Sequence, residues 1–143
     1  MAVINVKASA GNSTKTYIET GGHKVLIDEP PAFGGEDTAP SPVAMLLASL
    51  AGCINAIGQW AAKEMDFVIE KLEINIDGEV DGTAFFTGNL ENRAGFSDIK
   101  VDISLKADIT EDQKNIWLKN VIDRCPVTDN LINGTSVSFK AEL

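Results

Sequence analysis

Residues 38–62, TAPSPVAMLLASLAGCINAIGQWAA, carry no formal charge, and how that stretch is read decides the fold. It is long enough to cross a bilayer, which takes about 20 apolar residues. Against that reading, Ser41, Ser49, Asn55, Gln59, Gly52 and Gly58 dilute it, and Pro40 and Pro42 stand at its start. Glu36 and Asp37 precede it, where a membrane anchor favours Lys and Arg. The stretch therefore reads as the buried central helix of a core, apolar on all sides. Ser41 is placed to N-cap it, with Pro42 at the first helical position. It is expected to run to about Met65, a span of roughly 35 Å.

Upstream, residues 2–8 and 23–28 alternate apolar with polar side chains, and residues 17–19 are short and β-prone. Gly11-Asn12 and Gly21-Gly22 separate them, which predicts an antiparallel meander. Residues 29–42 carry Pro30, Pro31, Gly34, Gly35, Pro40 and Pro42, so the chain is expected to cross the surface there. Downstream, Leu72, Ile74 and Ile76 alternate with Lys71, Glu73, Asn75 and Asp77, a half-buried strand over residues 69–80. Residues 83–90 and 99–105 predict two more strands. Thr110 caps a helix that opens with Glu111 and Asp112 and runs to Ile122. Cys125-Pro126 interrupts it, a helical turn follows over residues 127–131, and residues 136–143 read as a last strand. Strands, long helix, strands, helix, strand is the order of an α+β fold, antiparallel sheets packed on one long central helix, in a single domain spanning residues 1–143.

A chain of 143 residues buries roughly two thirds of its unfolded surface, enough for one core. Acidic residues outnumber basic ones, 21 to 12, for a net charge of −9, and no two basic residues are adjacent. A polyanion would be repelled, which argues against nucleic acid and anionic membranes as partners. Residues 1–7 have neither a basic leader nor an apolar core with a cleavage site, so no signal peptide is expected, and the cytoplasm is the expected compartment.

Chemistry falls to two cysteines. Cys53 and Cys125 are too far apart for a CxxC motif, and with one histidine in the chain they cannot complete a zinc site within one subunit, so no metal or cofactor is expected. At helical spacings around Cys53 lie Leu46, Ser49, Leu50, Ala56, Ile57 and Trp60, an apolar wall that raises a thiol pKa and leaves a mid-helix sulfur without a helix terminus to stabilise its anion. From these neighbours alone, a small core residue fits that setting better than a reactive one. Ala48, Gly52 and Ala56 form a row that lets a second helix pack closely. Cys125 follows Arg124 and precedes Pro126, which places it near the C-terminal end of its helix. Arg124 is either a partner for that thiol or a solvated surface residue. His23 sits on an alternating strand, a base or a surface residue. Gly34-Gly35 lacks the strand-then-helix context of a phosphate-binding loop. Neither a Ser/His/Asp set nor a carboxylate pair stands out.

Gly21-Gly22-His23-Lys24-Val25-Leu26-Ile27-Asp28-Glu29-Pro30, Phe33-Gly34-Gly35-Glu36-Asp37, Pro40-Ser41-Pro42, Leu46-Leu47-Ala48-Ser49-Leu50-Ala51-Gly52-Cys53 and Arg124-Cys125-Pro126-Val127 together resemble the OsmC/Ohr family, in order and over nearly the whole chain. The resemblance implies an intertwined homodimer with two long central helices. It also implies a site in which Cys53 attacks an organic hydroperoxide and Cys125 resolves the sulfenic acid as a disulfide, with a dithiol as reductant. Leu46, Leu50, Ile57 and Trp60 would line an apolar cleft suited to a lipid or alkyl peroxide. Peroxidase members of the family carry an arginine near the loop between the first two strands and a glutamate ten residues before the first cysteine. Here residues 9–16 hold only Lys15, and Val43 stands at the glutamate position with Ala44 beside it. Lys15, His23 or Arg124 would have to replace the arginine. The alternative is a non-catalytic member that binds a small hydrophobic ligand, or a pair of purely structural cysteines.

Overall fold

The computed structural model describes residues 1–142. It opens with the expected meander: β1 (Val6–Ser9), β2 (Thr16–Thr20) and β3 (His23–Ile27) form an antiparallel sheet in the order β1-β2-β3. Thr20 pairs with His23, so only Gly21 and Gly22 close the β2–β3 hairpin. Both have positive φ, 55° and 80°, as a type I′ turn requires at its two central positions. Residues 2–5, read as part of the first strand, lie before β1, and Val3 and Ile4 are almost fully exposed.

Asp28, immediately after β3, is completely buried. Its carboxylate organises the proline- and glycine-rich segment that follows. Oδ1 accepts from the Thr14 hydroxyl at 2.7 Å and the Glu29 amide at 2.8 Å. Oδ2 accepts from the Thr38 hydroxyl at 2.8 Å, the Thr38 amide at 3.1 Å and the Glu36 amide at 3.2 Å. A buried carboxylate is tolerated only when its lone pairs are met in this way. A 3-10 turn at Pro31–Phe33 lies inside the segment, and Gly34 and Gly35 spend their amides on the carbonyls of Pro31 and Pro30. Those amides are turned into the turn itself, not outward as in an anion cradle.

The long helix α1 (Pro42–Glu64) starts as expected, with the Ser41 hydroxyl accepting from the Ala44 amide at 3.3 Å. The chain divides within α1 into two units, Met1–Ala48 and Ser49–Leu143. In the second unit β4 (Lys71–Val80) and β5 (Phe96–Lys106) form an antiparallel pair with a bulge at Glu79/Val80. The short α2 (Thr83–Thr87) connects them. Then α3 (Glu111–Arg124) and α4 (Pro126–Asn133) follow. The capping box forms at Thr110, whose hydroxyl accepts from the Gln113 amide while the Gln113 side chain accepts from the Thr110 amide.

The core of this unit joins Leu50, Ile54, Ala61 and Ala62 of α1 to Trp117, Val121 and Cys125. Leu72, Ile74 and Ile76 of β4 and Ile99, Ile103 and Leu105 of β5 pack against it. Trp117 is 1% exposed and donates its indole N–H to the Gly58 carbonyl at 2.9 Å. A Cβ on Gly58 would stand 2.9 Å from Trp117 Cζ2, so only glycine lets the ring lie on the helix backbone.

Three expectations need correction. Residues 83–90 are not a strand: the Asp81 carboxylate accepts from both the amide and the hydroxyl of Thr83, turning the chain into α2, and Gly88 ends it at φ 67°. Because β4 pairs directly with β5, this β-prone segment has no strand beside it to join. Residues 136–142 form no strand either, since nothing in the described chain offers them a ladder, and Val137 and Phe139 stand 70% and 93% exposed. Leu143 of that expected strand lies outside the described residues. Finally, α1 is not buried all round. By length and composition it is the one described helix able to cross a membrane. Leu50, Ile54, Gly58, Ala61 and Ala62 face the core, while Ser49, Gly52, Asn55, Ala56, Gln59 and Trp60 are exposed.

The donors around Asp28, the Thr14 hydroxyl foremost, hold its carboxyl far below the usual carboxylate range. A depressed native pKa means that this group's contribution to stability is present above the unfolded value of about 4 and is lost as pH falls below it. Asp28→Asn is therefore expected to lower the melting temperature at neutral pH, with the gap to wild type closing below roughly pH 4; a gap independent of pH would contradict this.

Candidate dithiol site

Pro126 shapes the second half of the site. It removes one amide and forces Cys125 into an extended conformation, φ −78° and ψ 111°, which stops α3 at Arg124. The same residue then starts α4: Cys125 is its N-cap, Pro126 occupies the first turn, and the Thr128 amide donates to Cys125 Sγ at 3.4 Å. Cys125 thus lies past the C-terminal end of one helix, as expected, and at the N-terminus of another, which was not expected. The legible signal was Cys-Pro-Val-Thr: a capping side chain, proline at the first position, and a donor three residues on. As a capping pattern, it singles out Thr128 as the donor to Cys125.

Cys53 comes from the middle of α1. The two sulfurs are hydrogen-bonded at 2.9 Å, and both cysteines are free thiols. Cys125 is 1% exposed, whereas Cys53 is partly open to solvent beside the exposed Ser49, Gly52 and Ala56. Either thiol can donate to the other, and their surroundings settle the direction. Burial, followed by the hydrogen bond to Cys125, pushes Cys53 above the ordinary thiol range. Burial opposes ionisation at Cys125 too, but the hydrogen bond from Cys53, those from the Thr128 hydroxyl and amide, and that from the Val127 amide outweigh it and bring Cys125 below that range. The pair holds its first negative charge on Cys125, with Cys53 as the S–H donor.

The residues expected to activate a thiolate do other things. Arg124 grips Glu64 through both ends of its guanidinium, Nη1 to Oε2 at 2.5 Å and Nη2 to Oε1 at 3.1 Å, tying the last turn of α3 to the end of α1. Lys15 is paired with Glu36 at 2.7 Å within the first unit. His23, also in the first unit, lines an open hollow of about 340 Å³ with Asn5, Lys7, Glu19 and Lys24. The apolar set divides: Leu50 is core and Ile57 packs against it, while Leu46 and Trp60 are 41% and 66% exposed. Among the described residues no group of three or more His, Cys, Asp or Glu side chains is arranged to hold a metal ion.

Two reduced thiols in hydrogen-bond contact, one mid-helix and reachable, one buried at a helix N-terminus, on an α+β scaffold, define a dithiol protein. The chain belongs to the OsmC-like protein family, which its residues 34–140 match. Its fold is that of solved family members. An OsmC-like protein from Mycoplasma pneumoniae is 20% identical, with a TM-score of 0.77 over 91% of this chain and 87% of that one. The organic hydroperoxide resistance protein OsmC of Legionella pneumophila is 18% identical, with a TM-score of 0.64 over 94% and 92%. The organic hydroperoxide resistance protein OhrB of Bacillus subtilis is 19% identical, with a TM-score of 0.58 over 92% and 91%. No curated protein matches the chain.

Because the Arg124–Glu64 pair is largely solvent-exposed, Arg124→Gln is expected to change stability by less than about 1 kcal/mol. It should leave thiol alkylation by iodoacetamide within about twofold of wild type. A tenfold slower reaction would show that the guanidinium serves the sulfurs after all.

Proposed function

We propose that this protein reduces organic hydroperoxides with the Cys53–Cys125 thiol pair. The observation that carries the reading is the contact itself: two free thiols 2.9 Å apart, the accessible one set in an apolar wall. A thiolate attacks the O–O bond, and a second thiol within reach converts the sulfenic acid to a disulfide before further oxidation. Cys53 is the attacking residue, because Cys125 is sealed from solvent. The apolar setting favours alkyl or lipid peroxides over hydrogen peroxide, and a dithiol would regenerate the pair. Family membership and the names of the Legionella and Bacillus relatives support a peroxide-related role.

The working unit in this reading is a homodimer in the cytoplasm, without nucleic-acid or membrane partners. Its support is the apolar surface that one chain leaves open in the second unit, namely Trp60, Val137 and Phe139, together with the alternation of residues 136–142, which suits a strand with no neighbour. A second reading, a non-catalytic dimer that binds a small hydrophobic ligand, is favoured by one observation: Lys15 and Arg124 are both committed to carboxylates.

The deciding experiment is consumption of cumene hydroperoxide by reduced protein with a dithiol regenerant, beside Cys53→Ser and Cys125→Ser. The expected outcome is turnover that disappears in Cys53→Ser. Turnover no faster than the free dithiol would transfer the assignment to ligand binding. Sedimentation equilibrium on the same samples is expected to give a dimer mass, and a monomer at micromolar concentration would remove that part of the reading.

A further inference from the structure

One step of this chemistry lacks an agent: something must take the proton from Cys53. The cations that could stabilise its anion are held elsewhere, Arg124 by Glu64 and Lys15 by Glu36. We propose that Cys125 is the general base of the site, its sulfur receiving the Cys53 proton as Cys53 attacks. The identity of the substrate rests on the hydroperoxide reading above; the location of the proton does not.

The geometry separates charge from access. Cys125 Sγ sits at the N-terminus of the eight-residue α4, receives the Thr128 amide at 3.4 Å, and is 1% exposed. It can hold a negative charge but cannot meet a bulky peroxide. Cys53 is partly open to solvent, yet as a mid-helix residue it has no terminus of its own helix, and the Val127 amide that supports its anion is outweighed by burial and the hydrogen bond to Cys125. With the sulfurs 2.9 Å apart, proton transfer needs no intervening water. In the second unit the described charged side chains on the helices around the two sulfurs are paired with other groups or stand at a far helix end. On α1 the charged residues are Lys63 and Glu64 at the far end, and Glu64 is bound to Arg124. On α3, Asp123 pairs with Lys119. On α4, the Asp129 carboxylate accepts from Asn133 at 2.7 Å. The sheet presents Leu72, Ile74, Ile76, Ile99, Ile103 and Leu105 to the core. The opposite displacements of the two thiol pKa values, Cys53 upward and Cys125 downward, agree with this assignment.

The cycle balances. Once the pair has lost its first proton, the remaining one sits on Cys53 and the negative charge on Cys125. The proton crosses to Cys125, and the Cys53 thiolate attacks the distal oxygen of ROOH. The S–O bond forms as the O–O bond breaks, leaving Cys53 sulfenic acid and an alkoxide. Solvent water protonates the alkoxide to ROH, and the hydroxide left behind takes the proton of Cys125, relayed through the sulfenic acid it faces, so that Cys125 becomes a thiolate again. It then attacks Cys53 Sγ, expelling hydroxide and forming the disulfide. The two sulfurs lose two electrons, and the peroxide gains them.

Iodoacetamide alkylation across pH, with the adduct located by mass spectrometry and thiolate followed by absorbance near 240 nm, tests the proposal without any peroxide. In wild type the adduct is expected on Cys53. In Cys125→Ser, Cys53 should react at least about tenfold more slowly at neutral pH, with its midpoint at least about one unit higher. In Cys53→Ser, thiolate absorbance should persist near neutrality while the native protein resists alkylation. Thr128→Ala keeps both thiols but removes a hydroxyl that donates to Cys125. It should move the wild-type midpoint upward by a smaller amount, which a purely structural role for Cys125 would not do, and it serves if Cys125→Ser folds poorly by circular dichroism. An unchanged rate and midpoint in Cys125→Ser, or an adduct on Cys125 in wild type, would overturn the proposal. Failure to turn over cumene hydroperoxide alongside the expected alkylation profile would remove the substrate assignment and leave the base in place.

Discussion

The site in the second unit depends on the seating of Trp117 against Gly58. The indole occupies the volume that a side chain at position 58 would fill, and its N–H caps a carbonyl of the very helix it lies on. That contact fixes the register between α1 and α3. From it Cys53 is five residues back along one helix, and Cys125 is eight residues, roughly 12 Å, along the other. Two thiols separated by half of the chain meet because two helices are locked at one point, while the Arg124–Glu64 clamp ties the end of one helix to the end of the other. The core thus does the positioning, and the cysteines need no local motif.

Much of this architecture was legible because it rests on short-range chemistry. Gly21-Gly22 can be read as a hairpin since both residues must take positive φ, and Thr110 as a cap since Gln113 stands three residues on. The alternation around Leu72, Ile74 and Ile76 marks one face of a strand. Where the reading failed, the deciding factor was not local. Thr-Ala-Phe-Phe-Thr has strand propensity, but propensity needs a neighbouring edge, and the two edges it would join pair with each other. Residues 136–142 alternate as a strand should, and the single chain offers them no ladder. The uncharged run of α1 invited a fully buried helix, although its serine, asparagine and glutamine positions already marked a face that the core would not take.

The pairing of the cysteines could be reached only through family resemblance, since nothing in their spacing brings them together. Their electrostatics were hidden for a different reason. A cysteine after arginine invites an ion pair, but the guanidinium reaches across to Glu64, a residue with no sequence relation to it. What tunes Cys125 is the hydrogen bond from Cys53, then the hydroxyl and amide of Thr128, brought to it because Pro126 starts a helix there. Asp28 illustrates the same limit. A single acidic residue after a strand looks like a surface group until the two threonines on either side of it, Thr14 and Thr38, are seen to converge on its oxygens.

Cys125 is at once the chemical partner of Cys53 and the cap of α4, so the two duties compete. A thiolate accepts a hydrogen bond well; a sulfur joined in a disulfide is uncharged and accepts poorly. When the pair oxidises, the Thr128 amide loses its acceptor, and the first turn of α4 gives up a cap of the kind worth about 1 kcal/mol. Fraying there would be seen as faster amide hydrogen exchange at Thr128 in the oxidised protein. The helix from Pro126 to Asn133 then acts as a mechanical indicator, firm while electrons are held and loosened once they are spent, carrying the state of two hidden atoms out to the solvent-facing side of α4.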